Sequence, residues 1–287
     1  MNGPRLGLTL PSFVRDPDEV FAVVHAADAA GIDGVFVYDH VFRIAADGTH
    51  RPALEMTALL GAVAAESSRV HVGVLVTRAS LRPAALTALT LETARRIAGD
   101  RLIAGIGAGD HESERENEQF GVGFGAIGDR LDDLRAAVRA SRDRGFPVWV
   151  GGVHRDVRAL AAAEADGWNR WGGSVERFGA QAAEVQAAAA RLPFVCSWGG
   201  LVVMDVDDEA AARKAARLGA RAGTIVGGVA RIASSVAEYA AAGAAWVVAG
   251  PVDSRNPVNA ALLGEVRQRL GEPQATAPGT RGRRAAR

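Results

Sequence analysis

The stretch VHVGVLVTRASLRPAALTALTLETARRIAGDRLIAGIGAGD, residues 70–110, holds an apolar run, a helical repeat and a second apolar run in that order. Residues 70–76 are almost all apolar, which predicts a strand buried on both faces. Residues 83–97 open with Pro83 and carry apolar side chains at three- and four-residue spacing, the pattern of an amphipathic helix. Residues 101–106 return to an apolar run before Gly107, Ala108 and Gly109. A strand, a helix and a strand in succession predict two parallel strands with the helix crossing one face.

The same alternation extends in both directions. Upstream, strand 6–10 precedes helix 17–30, and strand 34–37 precedes helix 53–66. Downstream, helix 130–144 follows a polar, glycine-rich loop, strand 147–150 leads to helix 155–164, and strand 167–170 leads to helix 175–190. Strand 194–204 then leads to helices 207–218 and 232–242, and strand 245–249 to helix 258–270. Eight strands alternating with helices predict a parallel sheet closed as a (β/α)8 TIM barrel, and 287 residues suit one such barrel. Residues 1–270 are read as one domain. Residues 271–287, with Arg281, Arg283, Arg284 and Arg287, are read as a disordered basic tail.

Composition narrows the partners. Lys plus Arg and Asp plus Glu are both 33, so no broad field draws the chain to nucleic acid or to anionic lipid. Cys196 is the only cysteine, which excludes an internal disulfide framework and a cysteine-based zinc site. No apolar run approaches the roughly 20 residues of a membrane span, and the N-terminus lacks the order of a secretory signal, so a cytoplasmic location without membrane contact is expected. His25, His50, His71 and His154 are too scattered for metal-ligand spacing, and no Gly-x-Ser-x-Gly elbow or Walker loop occurs.

In a closed barrel, functional groups belong at the C-terminal strand ends and in the loops beyond them. That rule selects Asp39 and His40, Thr77 and Arg78, residues 107–114, residues 151–156 and residues 168–174. Gly151 and Gly152 deliver the chain to a helix starting near Arg155, so free backbone N–H groups at its N-terminus form an anion site. Arg155 and Arg158 are one turn apart, and one of them is expected to lean over that site. The alternative is a tight turn that needs glycine for backbone reasons only. Gly227 and Gly228 are a second candidate phosphate contact. Trp168, Asn169 and Trp171 either line the cavity or plug the barrel top, and Ser174 reads as a helix cap.

The order of VFVYDH, VGVLVTRASLRP, RLIAGIGAGDHESE, PVWVGG and DGWNRWGGS resembles the luciferase-like monooxygenase superfamily, and within it the members that use the deazaflavin coenzyme F420. The resemblance covers residues 5 to about 250. It implies a flavin-type oxidoreductase that moves a hydride between F420 and a small-molecule substrate. FMN-dependent monooxygenation is the close alternative, and a catalytically silent barrel holding a flavin-like ligand is a third. By the resemblance His40 is the proton-transfer residue beside Asp39, against a plain strand-end cap. Asp110 is a second acid/base carboxylate, with one methylene less reach than the glutamate of relatives, against a simple helix cap.

The same resemblance places a non-proline cis peptide at Leu75–Val76 behind the cofactor ring. It assigns cofactor contacts to Asp39, Leu75, Val76, Thr77, Gly107, Ala108, Gly109, Gly151, Gly152, Val153, His154, Arg155, Trp168 and Asn169, and it implies a homodimer through helices near the second and third strands. One departure stands out. Relatives carry a hairpin before the fifth strand, whereas Arg142, Asp143, Arg144 and Gly145 here lead straight to Phe146 and Pro147, giving a shorter roof.

Overall fold

Successive side chains of a strand face opposite ways, and in this chain the two faces carry different residue types. The structure, a computed structural model, describes residues 3–44 and 48–271. The expected disordered tail, Gly271 apart, lies outside the described residues. The first elements are β1 (Arg5–Thr9), α1 (Asp18–Ala30), β2 (Gly34–Val37), β3 (Phe42–Ile44), β4 (His50–Pro52), α2 (Met56–Glu66) and β5 (His71–Arg78). Next come α3 (Ala84–Ala98), β6 (Leu102–Gly107), α4 (His111–Gln119), α5 (Ile127–Arg142), β7 (Val148–Gly151), α6 (Arg155–Glu164) and β8 (Gly167–Trp171). The last are α7 (Val175–Ala187), β9 (Val195–Met204), α8 (Asp208–Leu218), β10 (Ile225–Gly227), α9 (Val229–Ala241), β11 (Trp246–Pro251) and α10 (Val258–Gly271).

The strands β9, β11, β1, β2, β5, β6, β7 and β8 pair in parallel in that order, and β8 pairs back with β9. The sheet therefore closes as the expected eight-stranded (β/α)8 barrel. Leu6, Leu8, Val35, Val37, Val72, Val74, Val148 and Val150 point outward into one continuous core beneath the helices. The lumen is filled by Phe36, Ile103, Trp149, Trp246 and Val248. Large rings fit there because glycines face them. A Cβ at Gly7 or Gly73 would lie within 2.7 Å of the Phe36 ring, and one at Gly167 within 2.7 Å of Trp149.

Three elements differ from expectation. The hairpin β3–β4 follows β2, but its strands are three residues each and only Phe42 is buried, so no apolar run betrays it. β10 is a short extra strand that pairs with the end of β9 through Ile225 to Val202 and Gly227 to Met204. α4 lies where a loop was expected. It is started by a capping box between Asp110 and Ser113, and its buried residues Ser113, Glu116 and Asn117 share one face at three- and four-residue spacing. A helix with a polar buried face gives no hydrophobic period to read.

Candidate active site

The C-terminal end of β2 continues as Tyr38, Asp39 and His40. His40 Nδ1 lies 2.6 Å from Glu116 Oε1 on α4. Glu116 Oε2 accepts from Val41 N and from Arg78 Nη2, both at 2.9 Å. Arg78 also donates to Ser113 O and Asn117 Oδ1, which fastens α4 across the barrel rim. Arg78 and Glu116 are 4% and 5% exposed, so this ion pair is shielded from water, whereas His40 keeps 28% of its side chain exposed. Burial alone would lower the His40 pKa. The hydrogen bond and charge of Glu116, with the charge of Asp110, outweigh burial and the opposing Arg78, so the pKa is raised.

Asp110 sits near enough to His40 for their charges to interact, but its carboxylate is already engaged. Oδ1 accepts from Ser113 N at 3.0 Å and from Ser113 Oγ at 2.8 Å. Burial pushes its pKa up, and the two Ser113 hydrogen bonds with the His40 and His111 charges more than reverse this, holding it below the ordinary value. Asp110 caps α4 and stays anionic at neutrality, a poor proton donor but a negative charge beside His40.

The wall beside it, built from the neighbouring strand β5 with β6 and β7, is apolar. A Cβ at Gly107 or at Gly151 would lie 2.5 Å from the Val76 side chain, so both glycines exist to admit Val76 between them. The β5–β6 register shifts between Val74 and Thr77, and the Leu75–Val76 peptide is cis, where the sequence reading placed it. Leu75 packs on the lumen cluster. On the third side Trp171, 45% exposed, lies over Gly199 and Gly250, where added Cβ atoms would meet its ring at 2.7 Å. Trp198 Nε1 and Arg170 Nε hold Gly172 O, and Tyr239 Oη holds Gly173 O, so the loop carrying that indole is braced from behind.

The turn from β7 to α6 has Gly152 at φ 145, a conformation that suits glycine. Gly152 N donates to Asn169 O, and Gly152 O accepts from Trp168 Nε1 at 2.8 Å. His154 caps α6 through Asp156 N. The amides of Val153, His154 and Arg155 have no acceptor among the described residues. Val153 and His154 are both about half exposed.

Several expected contacts are corrected by this geometry. Asp39 is enclosed: its side chain is 1% exposed and its oxygens accept from Thr77 Oγ1, Arg78 N and both terminal nitrogens of Arg82. Thr77, bonded to Asp39, is equally enclosed. Trp168 is fully buried and stacks on Phe178 behind the strand, so it fixes the Gly152 carbonyl rather than lining the mouth. Ala108 is buried in the outer core, while Asn169 faces the lumen and donates to Ser197 Oγ.

Neither arginine leans over the α6 turn. Arg155 pairs with Asp156, and Arg158 turns back onto Val153 O and Glu184. At the second glycine pair, Gly228 N is taken by Asp208 Oδ1 at 2.8 Å, so a carboxylate of the chain fills the place proposed for phosphate. Ser174 caps α7, as read from the sequence. The residue missed was Glu116, two positions beyond the loop segment selected at the rim. Its signal was the spacing of Ser113, Glu116 and Asn117 on a helix without apolar residues.

A family model for the luciferase-like monooxygenase domain matches residues 2–145. The chain belongs to the luciferase-like monooxygenase family. Among curated relatives, a protein of Mycobacterium tuberculosis is 26% identical over 185 residues, covering 52% of this chain and 63% of the relative. An F420-dependent glucose-6-phosphate dehydrogenase of Beutenbergia cavernae is 33% identical over 111 residues, 38% of this chain and 32% of the relative. The match thus spans less than two thirds of these relatives' own length.

Among solved structures, an F420-dependent secondary alcohol dehydrogenase in complex with an F420-acetone adduct superposes with a TM-score of 0.77 at 16% identity. That match covers 93% of this chain and 99% of the other. The EDTA monooxygenase of Chelativorans sp. BNC1 also gives 0.77, at 11% identity, covering 94% of each. At these identities the likeness speaks for the luciferase-like fold. No helix among the described residues is long and apolar enough to cross a membrane.

Proposed function

We propose that this luciferase-like barrel is an F420-dependent oxidoreductase in which His40 handles the proton that accompanies hydride transfer to or from a small organic substrate. The observation that carries the reading is His40 itself: a part-exposed imidazole at the mouth, bonded through Nδ1 and without a partner at Nε2 among the described residues. An imidazole with one nitrogen anchored can give and take a proton at the other near neutrality. The residues present fit such a cofactor. Val76 between Gly107 and Gly151 offers a flat apolar wall to a ring, and the free amides of Val153, His154 and Arg155 offer donors to a phosphate. When bound, F420 would supply a hydride donor or acceptor at its C5 carbon.

The sequence likeness to F420-dependent dehydrogenases ranks F420 above FMN, while fold likeness to a monooxygenase keeps FMN as the competing cofactor. Titrating the purified protein with each, followed by ring fluorescence, decides between them. F420 is expected to bind; FMN binding without F420 binding reverses the order. His40→Ala is expected to keep cofactor affinity within a few fold and to lower turnover by about 100-fold or more. Unchanged turnover would remove His40 from the chemistry. The exposed Leu86, Leu89 and Ile97 on α3 support pairing with a second copy, which light scattering at micromolar concentration tests against a monomer.

A further inference from the structure

We propose that Glu116 is the positioning residue of this site, holding His40 as the Nδ1–H tautomer so that Nε2 is left free for the mouth. The proposal rests on the reading above that His40 handles the proton. Glu116 is bound from three sides: by the His40 ring at 2.6 Å, by the Val41 amide at 2.9 Å and by the Arg78 guanidinium at 2.9 Å. Val41 N and Arg78 can only donate. With Oε2 taken by these two donors, the short contact at Oε1 is best met by a proton on Nδ1. A neutral imidazole protonated at Nδ1 carries its lone pair on Nε2, the nitrogen that has no partner among the described residues.

Binding the amide next to His40 as well as its ring, Glu116 fixes the imidazole relative to its own backbone. The carboxylate does not need to accept the proton. Arg78 balances its charge, and its effect is to orient the ring and stabilise the imidazolium, as a buried carboxylate does for a catalytic histidine elsewhere. The other groups facing His40 are Asp110, which adds negative charge, and the uncharged rings of Tyr38 and Phe13 at 5.9 and 6.3 Å. A purely structural role for the pair is superfluous, because Arg78 already ties α4 to the rim through Ser113 O and Asn117 Oδ1.

The test is 15N NMR of the histidine rings in the cofactor-free, full-length protein, with the His40 signals assigned by their loss in His40→Gln. In wild type above its titration, His40 is expected to show a protonated Nδ1 and a bare Nε2. The opposite tautomer overturns the proposal without any Glu116 variant being needed. In Glu116→Gln the His40 titration is expected to move to lower pH and the tautomer preference to weaken. Glu116→Asp, which keeps the charge, is expected to restore part of both. Unchanged titration and tautomer in a folded Glu116→Gln protein also overturn it. With F420 bound, Glu116→Gln is expected to lower turnover by about tenfold or more with KM within a few fold. If the ring signals respond as expected and neither His40→Ala nor Glu116→Gln alters turnover, the assigned chemistry fails while the tautomer assignment stands.

Discussion

Two glycine pairs end strands and lead into helices in this structure, and they differ in what meets the backbone amide at the turn. After β7, Gly151 and Gly152 precede α6, and the amides of Val153, His154 and Arg155 meet no acceptor among the described residues. After β10, Gly227 and Gly228 precede α9, and Gly228 N is held by Asp208 from the first turn of α8. The glycines differ too. Gly152 has φ 145, whereas Gly228 has φ −75 and is glycine because a Cβ would lie 2.8 Å from Asp207 Cα. A glycine pair before a helix is therefore not an anion signal in itself; the neighbouring carboxylate decides.

The largest effect should come from Gly152→Val. The backbone there is one that a β-branched residue adopts only with strain, roughly 1 to 3 kcal/mol, and the new Cβ would meet Val157 Cγ1 at 2.9 Å. The turn must shift, so binding of the phosphorylated cofactor is expected to weaken at least tenfold, about 1.4 kcal/mol, as read by fluorescence titration. A cofactor fragment lacking the phosphate should bind wild type and variant almost equally. Equal losses for both ligands would make this turn, like the one at Gly227 and Gly228, a matter of chain geometry alone.

A smaller effect separates the two turns from the other side. Asp208→Ala removes the acceptor of Gly228 N, and losing a capping carboxylate of this kind typically costs about 1 kcal/mol of stability, measurable by denaturant midpoint. In wild type, inorganic phosphate should perturb the amide resonances of Val153, His154 and Arg155 and leave Gly228 unmoved. In Asp208→Ala, Gly228 should begin to respond. Phosphate moving Gly228 in wild type would erase the contrast.

What was legible in the sequence follows the same division between local pattern and remote neighbour. The eight barrel strands were readable because their apolar runs are buried on both faces, and the helices between them, as crossovers, required them to be parallel. The His40 position was readable as a strand end. Asp39 was read as facing a cofactor because its position says nothing of Arg82, 43 residues on, folding back to take both oxygens. Trp168 was misplaced by strand parity: Gly167 and Asn169 face the lumen, so the residue between them must face the helices. Asp208 lies 20 residues from Gly228 and Glu116 lies 76 from His40. Neither pairing has a local signature.

The smallest effect concerns the charges around the open turn. Arg155 and Arg158 follow Gly151 and Gly152 closely enough that one was expected over the anion site, yet the structure gives each a carboxylate partner. Arg158 donates to Val153 O at 2.6 Å and to Glu184, which braces the turn from the helix side. Arg155 is 83% exposed and paired with Asp156, itself an anion in the first turn of the same helix. A solvated guanidinium beside a carboxylate adds little field at the amides, and salt screens what remains. Arg155→Met should therefore change affinity for the phosphorylated cofactor by less than about threefold at physiological salt. The backbone amides would then dominate the site. A tenfold loss on Arg155→Met, shrinking as salt rises, would mean instead that Arg155 leaves Asp156 and swings over the phosphate on binding, so that the open turn is distinguished by a mobile cation as well as by its free amides.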